Sequence, residues 1–215
     1  MTAQYGRMNV VSLSVWRRLV CALLLGTAFV PAACRRYEYV SMKPLDDAGF
    51  SFSSIQQIEQ LEPTKEEVAE VAKAAKGGLS ESACVDLVRI SRGQKRHFAE
   101  GEHAAALHAA GIADPAILEL ARLRQIESWS GEAQAIRLTG TSDRVILAVA
   151  QRRAAGQPVP AGASLAKMKD AGVSEATLLE LLSRGITDAD AESIAWRKKQ
   201  HWTDEQVLRN FPPKS

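Results

Sequence analysis

Residues 101–123 read GEHAAALHAAGIADPAILELARL, and residues 162–184 read GASLAKMKDAGVSEATLLELLSR. Laid over one another without a gap, at an offset of 61 residues, they share seven of 23 positions. Gly101, Ala105, Ala110, Gly111, Leu118, Glu119 and Leu120 match Gly162, Ala166, Ala171, Gly172, Leu179, Glu180 and Leu181. Ile112 against Val173 and Asp114 against Glu175 are conservative pairs, and a one-residue adjustment brings Ser80 onto Ser142. In both copies a glycine separates two runs whose apolar residues recur at three and four, the pattern of helix, turn, helix. A repeat of this length describes two related four-helix units, at about residues 78–138 and 140–211, preceded by a helix that starts at Thr64. Helical hairpins stacked on one another follow, as a solenoid-like array or a compact bundle.

A shorter phrase recurs inside the units: a glycine or equivalent, an apolar residue, a Ser or Thr, an acid, then apolar residues at helical spacing. It occurs as GGLSESACVDLV (77–88), LTGTSDRVILAV (138–149), AGVSEATLLELL (171–182), RGITDADAESIA (184–195) and QHWTDEQVLRNF (200–211). EPTKEEVAEVAK (62–73) and AGIADPAILELA (110–121) are variants. Each phrase is a helix boundary. The glycine ends one helix in the left-handed conformation, and the hydroxyl caps the first amides of the next. Thr64 with Glu67 and Thr203 with Gln206 have capping-box spacing. The acid after the cap favours the positive end of the helix dipole. In AGIADP the expected cap is Asp114, with Pro115 at the first helical position. No stretch alternates long enough for a strand, so the fold class is all-α.

Composition agrees. Hydrophobic residues at 46% and charged ones at 24% suit a globular chain, and abundant alanine and leucine with only 6% aromatics favour helices. A net charge of +2 is too small to mark a phosphate backbone as partner. Three cysteines, with Cys21 inside a greasy run, leave no disulfide framework, so the domain rests on its core. Cys84, in the apolar setting ESACVDLVRI, reads as a buried and inert thiol.

The greasy run is Leu19–Ala33, 15 residues without a charge. Ahead of it stand Arg7, Arg17 and Arg18 and no acid, and Met8 offers an alternative start. This is the layout of an export signal, short of the ~20 residues of a spanning helix. It ends in Val30-Pro31-Ala32-Ala33-Cys34. Small residues followed by cysteine resemble the lipobox of bacterial lipoproteins, although Pro31 stands where that pattern usually carries leucine. The resemblance covers residues 8–34. It implies a signal peptide at 1–33, lipid on Cys34 as membrane anchor, and a periplasm-facing domain. Arg35 is unlike the aspartate that retains some lipoproteins at the inner membrane, which favours the outer one. Cleavage after Ala32, releasing a soluble periplasmic or secreted protein, and an uncleaved anchor are the competing readings.

Residues 34–60 have no sustained period and read as a tether leading into a first short helix, with Pro44 and Gly49 as breakers. The helical repeat domain occupies 61–215. Within it His97, His103 and His108 are spaced six and five apart, with Gly101 interrupting, which is not the spacing of a zinc site. Glu119 and Glu180, equivalent in the duplication, would make a carboxylate pair only if the units faced each other. LLELLSRGITDADAESIAWRKK (178–199) has the outline of a helix-turn-helix, but Asp188, Asp190 and Glu192 in its would-be recognition helix repel phosphates.

WRKKQHW (196–202) is the candidate interaction patch. Trp196 and Trp202 bracket Arg197, Lys198 and Lys199. The two tryptophans serve either as core anchors of the last hairpin or as a basic-aromatic surface for anionic lipid or an acidic partner. QPVPAG (157–162) is a Pro-rich spacer between helices. No catalytic, cofactor-binding or metal-binding motif is evident. The expectation is a membrane-tethered, non-enzymatic helical interaction module of the cell envelope, with a protein or envelope partner and no nucleic acid. An envelope enzyme with an unrecognised site is the alternative, and a helix-turn-helix-like binder of nucleic acid the third.

Overall fold

The computed structural model describes residues 40–213. The expected signal peptide at 1–33, Cys21 and the expected lipidation site Cys34 lie outside the described residues. Among these residues there are twelve helices and no strand. They are α1 (Lys43–Asp46), α2 (Phe52–Glu59), α3 (Lys65–Lys76), α4 (Glu81–Gly93), α5 (Gly101–Ala109), α6 (Asp114–Arg122), α7 (Ile126–Leu138), α8 (Asp143–Ala154), α9 (Gly162–Asp170), α10 (Glu175–Ser183), α11 (Asp188–Lys199) and α12 (Asp204–Asn210). Each odd helix packs on the next odd one, and each even helix on the next even one. Within a hairpin the two layers touch at α1–α2, α3–α4, α5–α6, α7–α8 and α11–α12. The result is a two-layer stack of six hairpins in which extensive contacts reach no further than two helices along the chain.

The even layer explains the recurring phrase. Counted from the first helical residue, the buried positions are the third, fourth, seventh and eighth. They hold Ala83, Cys84, Leu87 and Val88 in α4, and Ala116, Ile117, Leu120 and Ala121 in α6. In α8 they hold Val145, Ile146, Val149 and Ala150, and in α10 Thr177, Leu178, Leu181 and Leu182. That stripe is wide enough to bury a helix between two neighbours of its own layer and the layer beneath. In α12 the same positions are Gln206, Val207, Asn210 and Phe211, and only Val207 is fully buried. In α2 they are Ser54, Ile55, Ile58 and Glu59, of which Ser54 and Ile58 are buried. The outermost described helices thus bury less of the stripe, two positions in α2 and one in α12.

The first-turn acids join the even helices to one another. Glu81 of α4 accepts from the Ser51 amide and hydroxyl at the start of α2, at 3.0 and 2.6 Å. Asp114 of α6 accepts from the Ser80 amide and hydroxyl, at 3.1 and 2.6 Å. Asp143 accepts from the Ala113 amide at 3.1 Å, Glu175 from the Ser142 hydroxyl, and Asp204 from the Ser174 amide at 3.2 Å. At the opposite ends the chemistry reverses. Arg92 donates to the Glu62 carbonyl at 2.8 Å, Arg124 to that of Gln94 at 3.2 Å, and Arg152 to that of Ser183 at 3.3 Å. Arg184 reaches the Leu208 and Phe211 carbonyls at 2.5 and 2.9 Å. Like ends therefore lie side by side, and the helices of the layer run parallel.

Several expectations change. Asp114 is not the cap of its helix: Ala113 stands at the N-cap with no side-chain bond, and Asp114 is the first helical residue. Its carboxylate is already engaged by Ser80 and His108. The segment 40–60 is a complete hairpin, α1 and α2, with Leu45, Phe50 and Ile58 in the core, so the stack begins ahead of Leu61. One short helix is expected here, and brevity hides the other, because four residues in α1 cannot display a helical period. The Thr64–Glu67 and Thr203–Gln206 capping boxes form, and Thr187 with Asp190 makes a third.

Gly101 opens α5 instead of interrupting a helix. A Cβ built there would sit 1.9 Å from the Glu70 carbonyl oxygen of α3. At the matching Gly162 a Cβ would meet the Glu132 carbonyl of α7 at 3.3 Å. This shared glycine of the duplication marks a close helix crossing. Gly131 lies within α7 with nothing within 4 Å of its would-be Cβ. Gly101→Ala should cost about 1–3 kcal/mol through overpacking. Gly131→Ala should gain roughly 0.5–1 kcal/mol from helix propensity. Urea unfolding of the two variants beside the parent measures both signs.

Candidate functional site

The last hairpin carries the patch. Helix α11 starts at the Thr187–Asp190 box and ends at Gln200. His201 then takes the place that glycine fills in most sister turns, with φ of +64°, in a region that non-glycine residues seldom enter. Thr203 and Gln206 cap α12, with the Thr203 amide donating to Gln206 Oε1 at 2.8 Å.

The five patch residues divide. The Arg197 guanidinium lies over the Trp202 ring, 4.6 Å from its centroid, and 5.3 Å from that of Phe211. Such stacking shields the cation and the half-buried indole together. The Lys198 ammonium sits 2.7 Å from Asp204 Oδ1, and its side chain is largely covered. Arg197, Lys198 and Trp202 therefore tie α11 to the turn and to α12. Trp196 is 63% exposed, so the role of core anchor fails for it while Trp202 fills that role in part. Lys199 is exposed one turn further on, on the same helix face. One turn before Trp196, Glu192 faces Lys167 of α9 at 3.2 Å. The open surface is thus one indole between an ion pair and a single cation. An indole so placed offers a large apolar contact with little entropy to lose, the kind of side chain that dominates binding interfaces.

Asp204 is the most strongly perturbed acid here. Partial burial raises its pKa, but Lys198, Ser174 and Thr177 bind the carboxylate and bring it down to about 2. Two other ladder acids titrate low as well. Bonds from Ser51 and Ser54 lower Glu81. For Asp114, burial is outweighed by bonds from Ser80 and by His108.

The other candidates stand apart from one another. His97 Nδ1 is 3.0 Å from Glu67, His103 Nδ1 is 3.0 Å from the Ser130 hydroxyl, and His108 Nδ1 is 3.1 Å from Asp114. Among the described residues no cluster of three or more His, Cys, Asp or Glu is placed to hold a metal ion. Glu119 pairs with Arg122 and Glu180 with Arg184, each a local ion pair. Their helices, α6 and α10, are separated by α8, so the units do not bring the two carboxylates together. In the helix-turn-helix segment α10 packs on α8 and α12, whereas α11 packs on α9 and α12. Asp188 accepts from the Ala161 amide at 2.8 Å, so an acid of the would-be recognition helix serves the stack.

Sequence reading missed the full role of Glu67. Its carboxylate is buried and accepts from four donors. The Phe98 amide donates to Oε1 at 2.9 Å, and the Thr64 amide and Arg92 reach Oε2 at 2.9 and 2.7 Å. His97 is the fourth. Burial raises its pKa, but these bonds and the Arg92 charge carry it below the usual value. An acid buried in this way and held by four donors is a fastener shut away from solvent. Spacing reveals its capping box, whereas donors some thirty residues away leave no local signal.

Two predictions follow from these titrations. An acid whose folded pKa is depressed stabilises the fold above its unfolded pKa and loses that contribution as pH falls through the folded value. For Asp204 this window runs from 3.8 down to about 2, so urea midpoints should fall across it. Asp204→Asn should remove part of that decline and cost roughly 1–2 kcal/mol at neutral pH. Burial also pushes the Cys84 thiol up to about 12. Iodoacetamide should leave Cys84 unlabelled in the native chain and label it on unfolding, as read by peptide mass.

No protein-family model matches the chain, and comparisons with curated proteins and with solved structures return no match.

Proposed function

We propose that this chain is a membrane-tethered, non-enzymatic interaction module of the bacterial cell envelope, anchored through lipid on Cys34. One observation carries the reading. The histidines and acids that sequence inspection singles out are engaged in hydrogen bonds and ion pairs within the stack, while Trp196 projects from it. Glu67, Asp114, Asp188 and Asp204 all spend their oxygens on neighbouring helix ends. Repeat stacks present long surfaces on which a partner is recognised by shape and a few anchors, without a chemical centre. Trp196, with Lys199 beside it, is the proposed anchor, and the partner is a protein or another envelope component. Among the described residues no helix is long and apolar enough to cross a membrane.

The export layout of residues 1–33 and the cysteine at 34 support attachment by lipid on the periplasmic side, at the outer membrane. Intact mass of the membrane-associated protein tests the anchor, with Cys34 and with Cys34→Ser side by side. The expected result is a diacylglycerol-sized increment that disappears in the variant. An unmodified amino terminus at Ala33 overturns it. A reporter fused after residue 60 should be active only outside the cytoplasm, and cytoplasmic activity would refute the location.

A further inference from the structure

The two ends of the even layer are chemically unlike. In α4, α6, α8, α10 and α12 the first helical residue is an acid, bonded back to the preceding even helix. In α2, the first even helix among the described residues, that position is Phe52, and it is 74% exposed. Phe52 shares its face with half-buried Ile55 and with Gln56 and Glu59, at helical spacings of three, four and seven. The first helix thus presents an apolar pair where every later one presents a ladder acid.

A second copy stacked end to end does not suit this face. The far end offers Gln206 and Asn210 at the positions that would meet it. The Thr203 amide there is already satisfied by Gln206, and Phe52 has no carboxylate to offer it.

We infer that the Phe52–Ile55 end of the stack rests on the lipid surface, with Phe52 entering the headgroup boundary. The inference depends on the tether at Cys34 proposed above. Six steps along the chain separate Cys34 from Val40, where the described residues begin. At full extension they reach about 20 Å, so a lipid on Cys34 holds the first hairpin within that distance of the bilayer. Arg35 and Arg36 lie in the link. These cations add attraction to anionic headgroups. Exposed α2 residues besides Phe52 are Ser53, Gln56, Gln57 and Glu59, so α2 itself brings one carboxylate, and in the preceding α1 and turn Lys43 is paired with Asp47 at 2.9 Å beside exposed Asp46. An apolar residue on a weakly charged face, pressed against a surface by a short link, is the arrangement of an interfacial contact.

The test uses the full chain, purified with its anchor and reconstituted into vesicles of phosphatidylethanolamine and phosphatidylglycerol. A photoreactive phenylalanine analogue replaces Phe52, Leu138 or Trp196, the exposed large apolar side chains among the described residues. The expected result is lipid adduct at position 52 several-fold above that at 138 and 196. A chain that floats with the vesicles but labels lipid equally at all three positions overturns the docking face and leaves the tether standing. Adducts at position 52 to a second chain instead of lipid also overturn it. A chain that fails to float overturns the tether, and the docking face falls with it.

Discussion

A carboxylate in the first turn of one helix, hydrogen-bonded to the first residues of the helix two before it, is the contact on which this stack depends. Five such contacts link α2 to α12 through Glu81, Asp114, Asp143, Glu175 and Asp204. Parallel neighbouring helices set like dipole ends side by side, which is unfavourable unless opposite charge is placed between them. Here acids lie among the amino ends and arginines among the carboxyl ends. Each also satisfies backbone groups that a helix end leaves without a partner. The same few side chains thereby set the register of the layer, neutralise its dipoles and close its hydrogen bonds.

Packing follows from that register. With each even helix fixed against its predecessor, four positions per helix meet apolar neighbours, and the core grows by one hairpin at a time. The odd layer is held by close approach as well as by charge. Gly101 and Gly162 let α5 and α9 cross the helices before them, and Glu70 and Glu132 accept from those glycine amides. In α12 Gln206 and Asn210 take two of the four stripe positions beside Val207 and Phe211, and Gln206 closes the Thr203 cap. At the near end Phe52 stands in the ladder position.

This division of labour bears on function. Buried charge is costly unless paired and bonded, and the buried acid Glu67 meets that condition through four donors. Groups spent in this way position helices. Trp196 has no such structural debt. Its neighbours Arg197 and Lys198, adjacent in sequence, point into the Trp202 ring and to Asp204. A run that looks like one basic-aromatic patch is thus two structural cations beside one exposed indole.

The sequence by itself determined the all-helical class, the 61-residue repeat and the Thr64 and Thr203 capping boxes, because each rests on contacts within one turn or on direct self-comparison. Glu67 was legible as half of a cap, and Cys84 as a buried thiol. Only the tertiary structure decided where the acid after each cap spends its charge. Asp114 reads as a local cap and acts across 34 residues on Ser80. Glycine at 101 reads as a break and is a point of helix contact. Residues 34–60 read as a tether leading into one short helix, and from residue 40 they form the first hairpin. The physical reason is common to all three: a dihedral preference or a local cap is written in neighbouring residues, whereas a partner some thirty residues away exists only once the hairpins have stacked.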